Sequence, residues 1–107
     1  MRPETRQCLA DARSAADEAA SLATTNWPQD RLRALAIERL LMIMGEALVR
    51  IRDFEPAMLE RLTDAHKIIG MRNILVHGYD ELDPVRIEDA IRTNIPMLIS
   101  EIDAAVR

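Results

Sequence analysis

The sequence predicts an all-α protein, an up-and-down bundle of four to five helices formed by one domain over residues 1–107. Hydrophobic residues make up 49% of the chain and charged residues 30%, with only 3 Gly, a balance typical of a folded helical domain. Apolar residues recur at spacings of three and four, and no stretch alternates with period two for long enough to form a strand. At 107 residues the chain has the size of a single domain.

The first predicted helix extends from Pro3 to about Thr24. Proline suits the first turn of a helix, where the N–H group that it lacks has no partner in any case. Because its apolar face consists mostly of alanine, this helix must pack closely on a neighbour or be the least stable element. The apolar positions are Leu9, Ala12, Ala16, Ala19 and Ala20.

The second predicted helix runs from about Trp27 to Asp53, with Thr24, Thr25 or Asn26 as its N-cap and Pro28 in its first turn. One face is apolar throughout: Leu32, Ala36, Leu40, Ile43, Ala47 and Ile51. In the second half of the helix, further apolar residues cover most of the remaining circumference: Leu41, Met42, Met44, Leu48 and Val49. Such a helix in a small domain must be covered on a second side. A second copy of the chain is the simplest cover, because two-fold homodimers are the commonest assembly, and a central helix of a monomer is the alternative.

The third and fourth predicted helices are short and follow closely. Pro56 ends the long helix and begins a short third one. Thr63 or Asp64 can cap a fourth helix, which ends near Gly78, the expected left-handed residue after its C-terminus.

The last predicted helix begins at Asp83 and Pro84, as N-cap and first helical residue. Its apolar positions follow helical spacing: Ile87, Ile91, Ile95, Leu98, Ile102 and Val106. Pro96 lies inside this helix and removes one backbone hydrogen bond, which predicts a bend.

Composition and charge exclude several classes of function. Aromatic residues make up 3% of the chain, too few for a protein that stacks bases on several rings. The net charge is −4, so any attraction to RNA must come from a local cluster of cations, of which nearly all are arginines. The lone Cys8 and the charged N-terminus predict a reducing, cytoplasmic setting. The longest uncharged apolar run, residues 40–45, is far shorter than the roughly 20 residues of a membrane-spanning helix.

The residue types exclude most catalytic templates as well. One cysteine cannot form a thiolate metal cluster, and His66 and His77 are too far apart for a helical two-histidine zinc motif. The glycine pattern of a phosphate-binding loop is also missing. We therefore expect neither a metal nor a cofactor.

A polar motif interrupts the most apolar part of the second half of the chain. Arg72, Asn73, His77 and Tyr79 lie in the stretch from Gly70 onward, and polar groups in such surroundings need partners or a purpose. On an ideal helix Asn73 and His77 share one face, whereas Arg72 and His77 are about 140° apart. Two chains related by a two-fold axis could bring two arginines and two histidines to one shared cleft.

Arginine and histidine suffice for metal-free cleavage of RNA. Histidine can take the proton from a ribose 2′-hydroxyl, and arginine can hold the phosphate and offset the charge that develops on its oxygens. DNA lacks this hydroxyl and would be spared. The alternative is structural: the helix dipole favours a histidine such as His77 at the C-terminus, and Arg72 pairs with a nearby acid such as Glu46.

The motif closely resembles the signature of the HepT-like branch of the HEPN superfamily. Its string is Gly-Met-Arg-Asn-x-Leu-Val-His-Gly-Tyr over residues 70–79. Upstream, the segment from Asp30 to Ala47, with Ile-Met-Gly-Glu-Ala at its end, resembles the long central helix of that family. Residues 94–98 resemble its last-helix motif, and the resemblance covers roughly Gln29 to Ile102.

This resemblance implies a helical homodimer that acts as a metal-independent endoribonuclease toxin, paired with a minimal nucleotidyltransferase antitoxin. Arg72 and His77 would be the catalytic pair, and Asn73 would help to order the site. Glu46 could pair with Arg72. The hydroxyl of Tyr79 would accept AMP from the antitoxin, and this bulky anion would repel RNA. Alternatively, the ring of Tyr79 covers the end of the bundle.

Two other functions stay open at this point. In one, the chain is a non-catalytic helical partner that binds and regulates a nucleotidyltransferase, and the polar motif is its docking and modification surface. In the other, the chain is a dimeric bundle in which Arg72 and His77 only stabilise the fold.

Overall fold

The computed structural model describes residues 1–78 and 82–107, and it confirms an all-α architecture. The described helices are α1 (Pro3–Leu22), α2 (Arg31–Phe54), α3 (Pro56–Leu59), α4 (Ala65–His77), α5 (Pro84–Asp89) and α6 (Ile95–Val106). A 3₁₀ turn at Trp27–Gln29 precedes α2, and a π-helical turn at Ala90–Asn94 joins α5 to α6. Since α5, this turn and α6 follow one another without a break, the described residues form five helical units, within the predicted range.

Helix α2 lies at the centre of the bundle, with α1 and α4 packed against it and α6 packed against α1. These neighbours bury much of the apolar circumference that the sequence shows, including Leu41, Met44, Leu48 and Ile51. Met42, Ile43 and Val49 remain half-buried. The chain therefore supplies most of the cover for α2 itself, and the homodimer stays a prediction that needs other support.

The alanine-rich face of α1 packs closely, as predicted. Ala12, Ala16 and Ala19 are fully buried. Ala20 is exposed, contrary to its assignment to the apolar face, because it follows Ala19 and lies about 100° further around the helix.

The start of α2 differs from the prediction. Asn26 forms no side-chain cap, and Asp30 is the N-cap instead. One Asp30 carboxylate oxygen accepts hydrogen bonds from the backbone N–H groups of Leu32 (3.1 Å) and Arg33 (3.2 Å). Residues Trp27–Gln29, which lie between Asn26 and Asp30, form a 3₁₀ turn. The buried side chain of Trp27 anchors this turn in the core.

Two other helix ends are as predicted. Gly78 follows α4 with φ 65°, in the left-handed region where a side chain would be strained. Asp83 caps α5, and its carboxylate accepts a hydrogen bond of 2.9 Å from the backbone N–H of Val85. Asp64 precedes α4 but forms no side-chain cap, because its carboxylate binds the side-chain amide of Asn94 at 2.8 Å.

The π-helical turn lies directly before Pro96. The backbone N–H of Ile95 bonds to the carbonyl of Ala90, five residues earlier. Proline has no N–H and crowds the preceding turn, so a wider turn accommodates it. The disturbance expected at Pro96 therefore takes the form of this π-helical turn.

Four pairs of side chains link the helical segment 84–106 by hydrogen bonds to three earlier parts of the chain. The pairs are Arg13–Asp103, Trp27–Glu88, Thr63–Glu101 and Asp64–Asn94. These four cross-links connect residues between 30 and 90 positions apart in the sequence. They hold the segment in place beside α1 and α4.

The cross-link between Trp27 and Glu88 gives a first testable prediction. The indole Nε1–H of the buried Trp27 donates to a carboxylate oxygen of Glu88 at 2.5 Å. Substitution Glu88→Ala leaves this N–H without a partner, so we expect the free energy of unfolding to fall by about 1–3 kcal/mol. Urea unfolding of the two proteins measures the loss. Substitution Asp89→Ala is the matched control at an exposed neighbour, and an equal loss in that variant would contradict the assigned role.

Across the described ranges, no helix has both the length and the apolar character that crossing a bilayer requires.

Candidate active site

Helix α4 carries the polar motif and packs along α2. At the contact, the backbone of Gly45 in α2 faces the first side-chain atoms of Arg72 in α4. Gly45 is buried, and the Arg72 side chain is 23% exposed. The packing of the two helices therefore fixes the base of the Arg72 side chain and leaves part of it accessible.

Two side chains, those of Glu46 and Asn73, form hydrogen bonds with the guanidinium of Arg72. Its Nε and Nη2 donate to one carboxylate oxygen of Glu46 at 3.1 and 2.6 Å, and its Nη1 donates to Oδ1 of Asn73 at 2.8 Å. The pairing of Arg72 with Glu46 was predicted from the sequence. A guanidinium has five N–H groups, of which these bonds use three, so two are left to bind an anion such as a phosphate.

His77 is the last residue of α4 and is exposed. Asn73, one turn earlier, is exposed as well. Among the described residues, no hydrogen bond or ion pair joins His77 to Arg72. The structure thus brings Arg72, Asn73 and Glu46 together, while His77 stands apart from them at the end of the same helix.

Tyr79, the candidate AMP acceptor, lies outside the described residues. The chain position that can be described next to it is Gly78, which ends α4.

A groove between α1 and α2 begins beside the Glu46–Arg72 pair. Its volume is about 580 Å³, and Glu46 and Val76 belong to its lining. The α2 side of the groove carries Arg39 and Arg50, whereas the α1 side carries acidic residues. This groove could not be predicted from the sequence, because it depends on how α1 and α2 are placed side by side.

Cys8 also lines this groove, but its chemistry does not fit a nucleophile. The thiol is buried, and this burial raises its pKa above the ordinary value. A thiol of raised pKa is less often the reactive thiolate at neutral pH. Cys8 therefore belongs to the core.

Exposed apolar side chains surround the motif. Leu35 in α2 is 46% exposed, and in α4 Ile74 and Val76 are 38% and 46% exposed. Ile74 and Val76 are two positions apart and therefore lie on nearly opposite sides of α4, so these side chains do not form one continuous apolar patch.

Within residues 1–78 and 82–107, no group of three or more histidine, cysteine, aspartate or glutamate side chains is arranged to hold a metal ion. The chemistry available at the described site is that of a guanidinium, an imidazole, an amide and a carboxylate.

Comparison with known protein families places most of the chain in one of them. The model of the HepT-like family, described as ribonuclease HepT-like, matches residues 7–105. No curated protein and no solved structure matches the chain.

Proposed function

Because the chain belongs to the HepT-like ribonuclease family, we propose that it is a metal-independent endoribonuclease that acts in the cytoplasm as the toxin of a toxin–antitoxin pair. The observation that carries this proposal is the guanidinium of Arg72, which keeps two N–H groups for a phosphate on the helix that ends in the exposed His77. A phosphate-binding group and a proton acceptor are the two elements that the reaction needs.

In the proposed reaction, His77 takes the proton of a ribose 2′-hydroxyl. The 2′-oxygen then attacks the adjacent phosphorus, and the bond from phosphorus to the 5′-oxygen of the next nucleotide breaks. That oxygen leaves and takes up a proton from water. The products are a 2′,3′-cyclic phosphate and a 5′-hydroxyl. Arg72 stabilises the negative charge on the other phosphate oxygens during the attack.

We further propose that a second copy of the chain completes the site. In one chain, Arg72 lies against α2 while His77 is at the exposed end of α4. A two-fold axis near the motif would place Arg72 and His77 of both chains along one cleft. Burial of an exposed apolar side chain of α4, such as Ile74, would favour this contact.

The proposed regulation involves a minimal nucleotidyltransferase as antitoxin. This partner would transfer AMP to the hydroxyl of Tyr79, two residues after His77 in the sequence. An added phosphate group at this position would repel the RNA backbone from Arg72 and block the entry of RNA.

The test is cleavage of labelled RNA by the purified protein in EDTA. We expect products with 2′,3′-cyclic phosphate ends, and no cleavage of the same strand when a 2′-deoxynucleotide replaces the nucleotide at the cleaved position. Absence of cleavage by a protein that mass spectrometry shows to be unmodified would overturn the proposal. That result would favour the non-catalytic partner of a nucleotidyltransferase, in which Glu46 and Asn73 simply hold Arg72 in place.

A further inference from the structure

We propose that Gly45 is a positioning residue for Arg72, and this inference rests on the proposed ribonuclease function. A Cβ atom built on Gly45 would lie 2.2 Å from Cβ of Arg72 and 2.7 Å from its Cγ. Contacts under 3.0 Å between such atoms essentially never occur in proteins. The missing side chain at position 45 is therefore what allows Arg72 to lie against α2.

The clash involves atoms that cannot move aside on their own. Cβ of Arg72 is bonded directly to the α4 backbone, so the first part of this side chain has no free end to swing away. To bring the two Cβ atoms from 2.2 to 3.0 Å, α4 must move relative to α2 by most of an ångström. Protein interiors are close-packed, so such a shift also moves the residues around the contact.

The same displacement would reach the guanidinium. Glu46 is the next residue after Gly45 in α2. The contact between α2 and α4 therefore sets the distance between the guanidinium of Arg72 and the carboxylate of Glu46. Bonds of 3.1 and 2.6 Å to Glu46 and of 2.8 Å to Asn73 leave little room for movement. The two unused N–H groups of Arg72 would then lose their fixed direction toward a bound phosphate.

The consequence for the reaction is a loss of rate rather than of substrate binding. Arg72 acts mainly on charge that develops during the attack, and a displacement of about an ångström in a group of this kind can cost on the order of 100-fold in rate. We therefore expect Gly45→Ala to lower kcat by about 10–100-fold with little change in KM.

The matched control is Gly70→Ala, the same substitution within the motif helix. A Cβ at Gly70 would meet no atom within 4 Å. We expect this variant to keep the kcat of the parent. Equal kcat in Gly45→Ala and the parent would overturn the proposal.

A second measurement does not depend on ribonuclease activity. Substitution Arg72→Gly removes the Cβ and Cγ atoms that alanine at position 45 would strike. Gly45→Ala should therefore lower Tm by roughly 5 °C or more in the parent and by much less in the Arg72→Gly background. Equal losses in both backgrounds would show that Gly45 does not act through Arg72. If the parent fails to cleave RNA, the ribonuclease proposal fails, while this comparison still decides whether the two residues are coupled.

Discussion

Substitution His77→Ala is expected to lower the rate of RNA cleavage by about 10²–10⁴-fold, the usual contribution of a general base. The imidazole is exposed at the end of α4 and makes no described hydrogen bond that holds the fold together. Circular dichroism and Tm should therefore stay close to those of the parent. Single-turnover cleavage of labelled RNA in EDTA measures the effect.

His66→Ala is the matched control, because this residue is an exposed histidine of the same helix outside the motif spacing. It should cleave RNA at the parent rate. If His77→Ala cleaves as fast as the parent, either His77 is not the base or the activity belongs to a contaminating nuclease. Equal loss in both histidine variants would show that the effect is not specific to His77.

Substitution Arg72→Ala is expected to lower cleavage by about 10²–10³-fold, because it removes the group that stabilises charge on the phosphate. Arg72→Lys keeps the charge but lacks the planar fork that can bind Glu46 and a phosphate together, so it should recover only part of the rate. The loss should appear in kcat more than in KM, as measured by initial rates over a range of RNA concentrations.

The stability of the Arg72→Ala variant separates catalysis from structure. The ion pair of Arg72 with Glu46 is partly exposed, with 23% and 48% of the two side chains accessible. Such pairs contribute about 0–1 kcal/mol, and truncation to alanine also removes the packing of Cγ against α2, so we expect a modest loss of stability in urea unfolding. Arg61→Ala, at an exposed arginine outside the motif, serves as the control. A large loss of stability in Arg72→Ala, with normal cleavage by the protein that remains folded, would assign Arg72 to the fold alone.

Much of the fold could be predicted because local rules determine it. Helical spacing of apolar residues located the four longer helical units, and the conformational preferences of Gly78 and the capping role of Asp83 located two of their ends. The start of α2 could not be predicted in the same way. Asn26 and Asp30 are both good N-caps, and the burial of Trp27, a long-range effect, decides between them.

At the candidate site, one contact could be predicted from the sequence, while the roles of the residues stay predictions. The residue types and the motif string pointed to Arg72, Asn73, His77 and Glu46, and the pairing of Arg72 with Glu46 was among the expectations. The role of Gly45 could not be predicted from sequence spacing, because it depends on the distance at which α2 and α4 cross.

The homodimer could not be settled from the sequence either. An apolar circumference indicates that a helix is covered on two sides, but not whether the cover comes from the same chain.

The four cross-links to the segment 84–106 also bear on the order in which the molecule can fold. Each joins residues at least 30 positions apart, so a long loop must close before the bond forms. The ribosome makes α1, α2 and α4 before the segment 84–106, and α2 packs against both α1 and α4. The four cross-links cannot form until their partners in the later segment have been made. During synthesis the helix that carries Arg72 and His77 is therefore made before the segment that forms these four bonds.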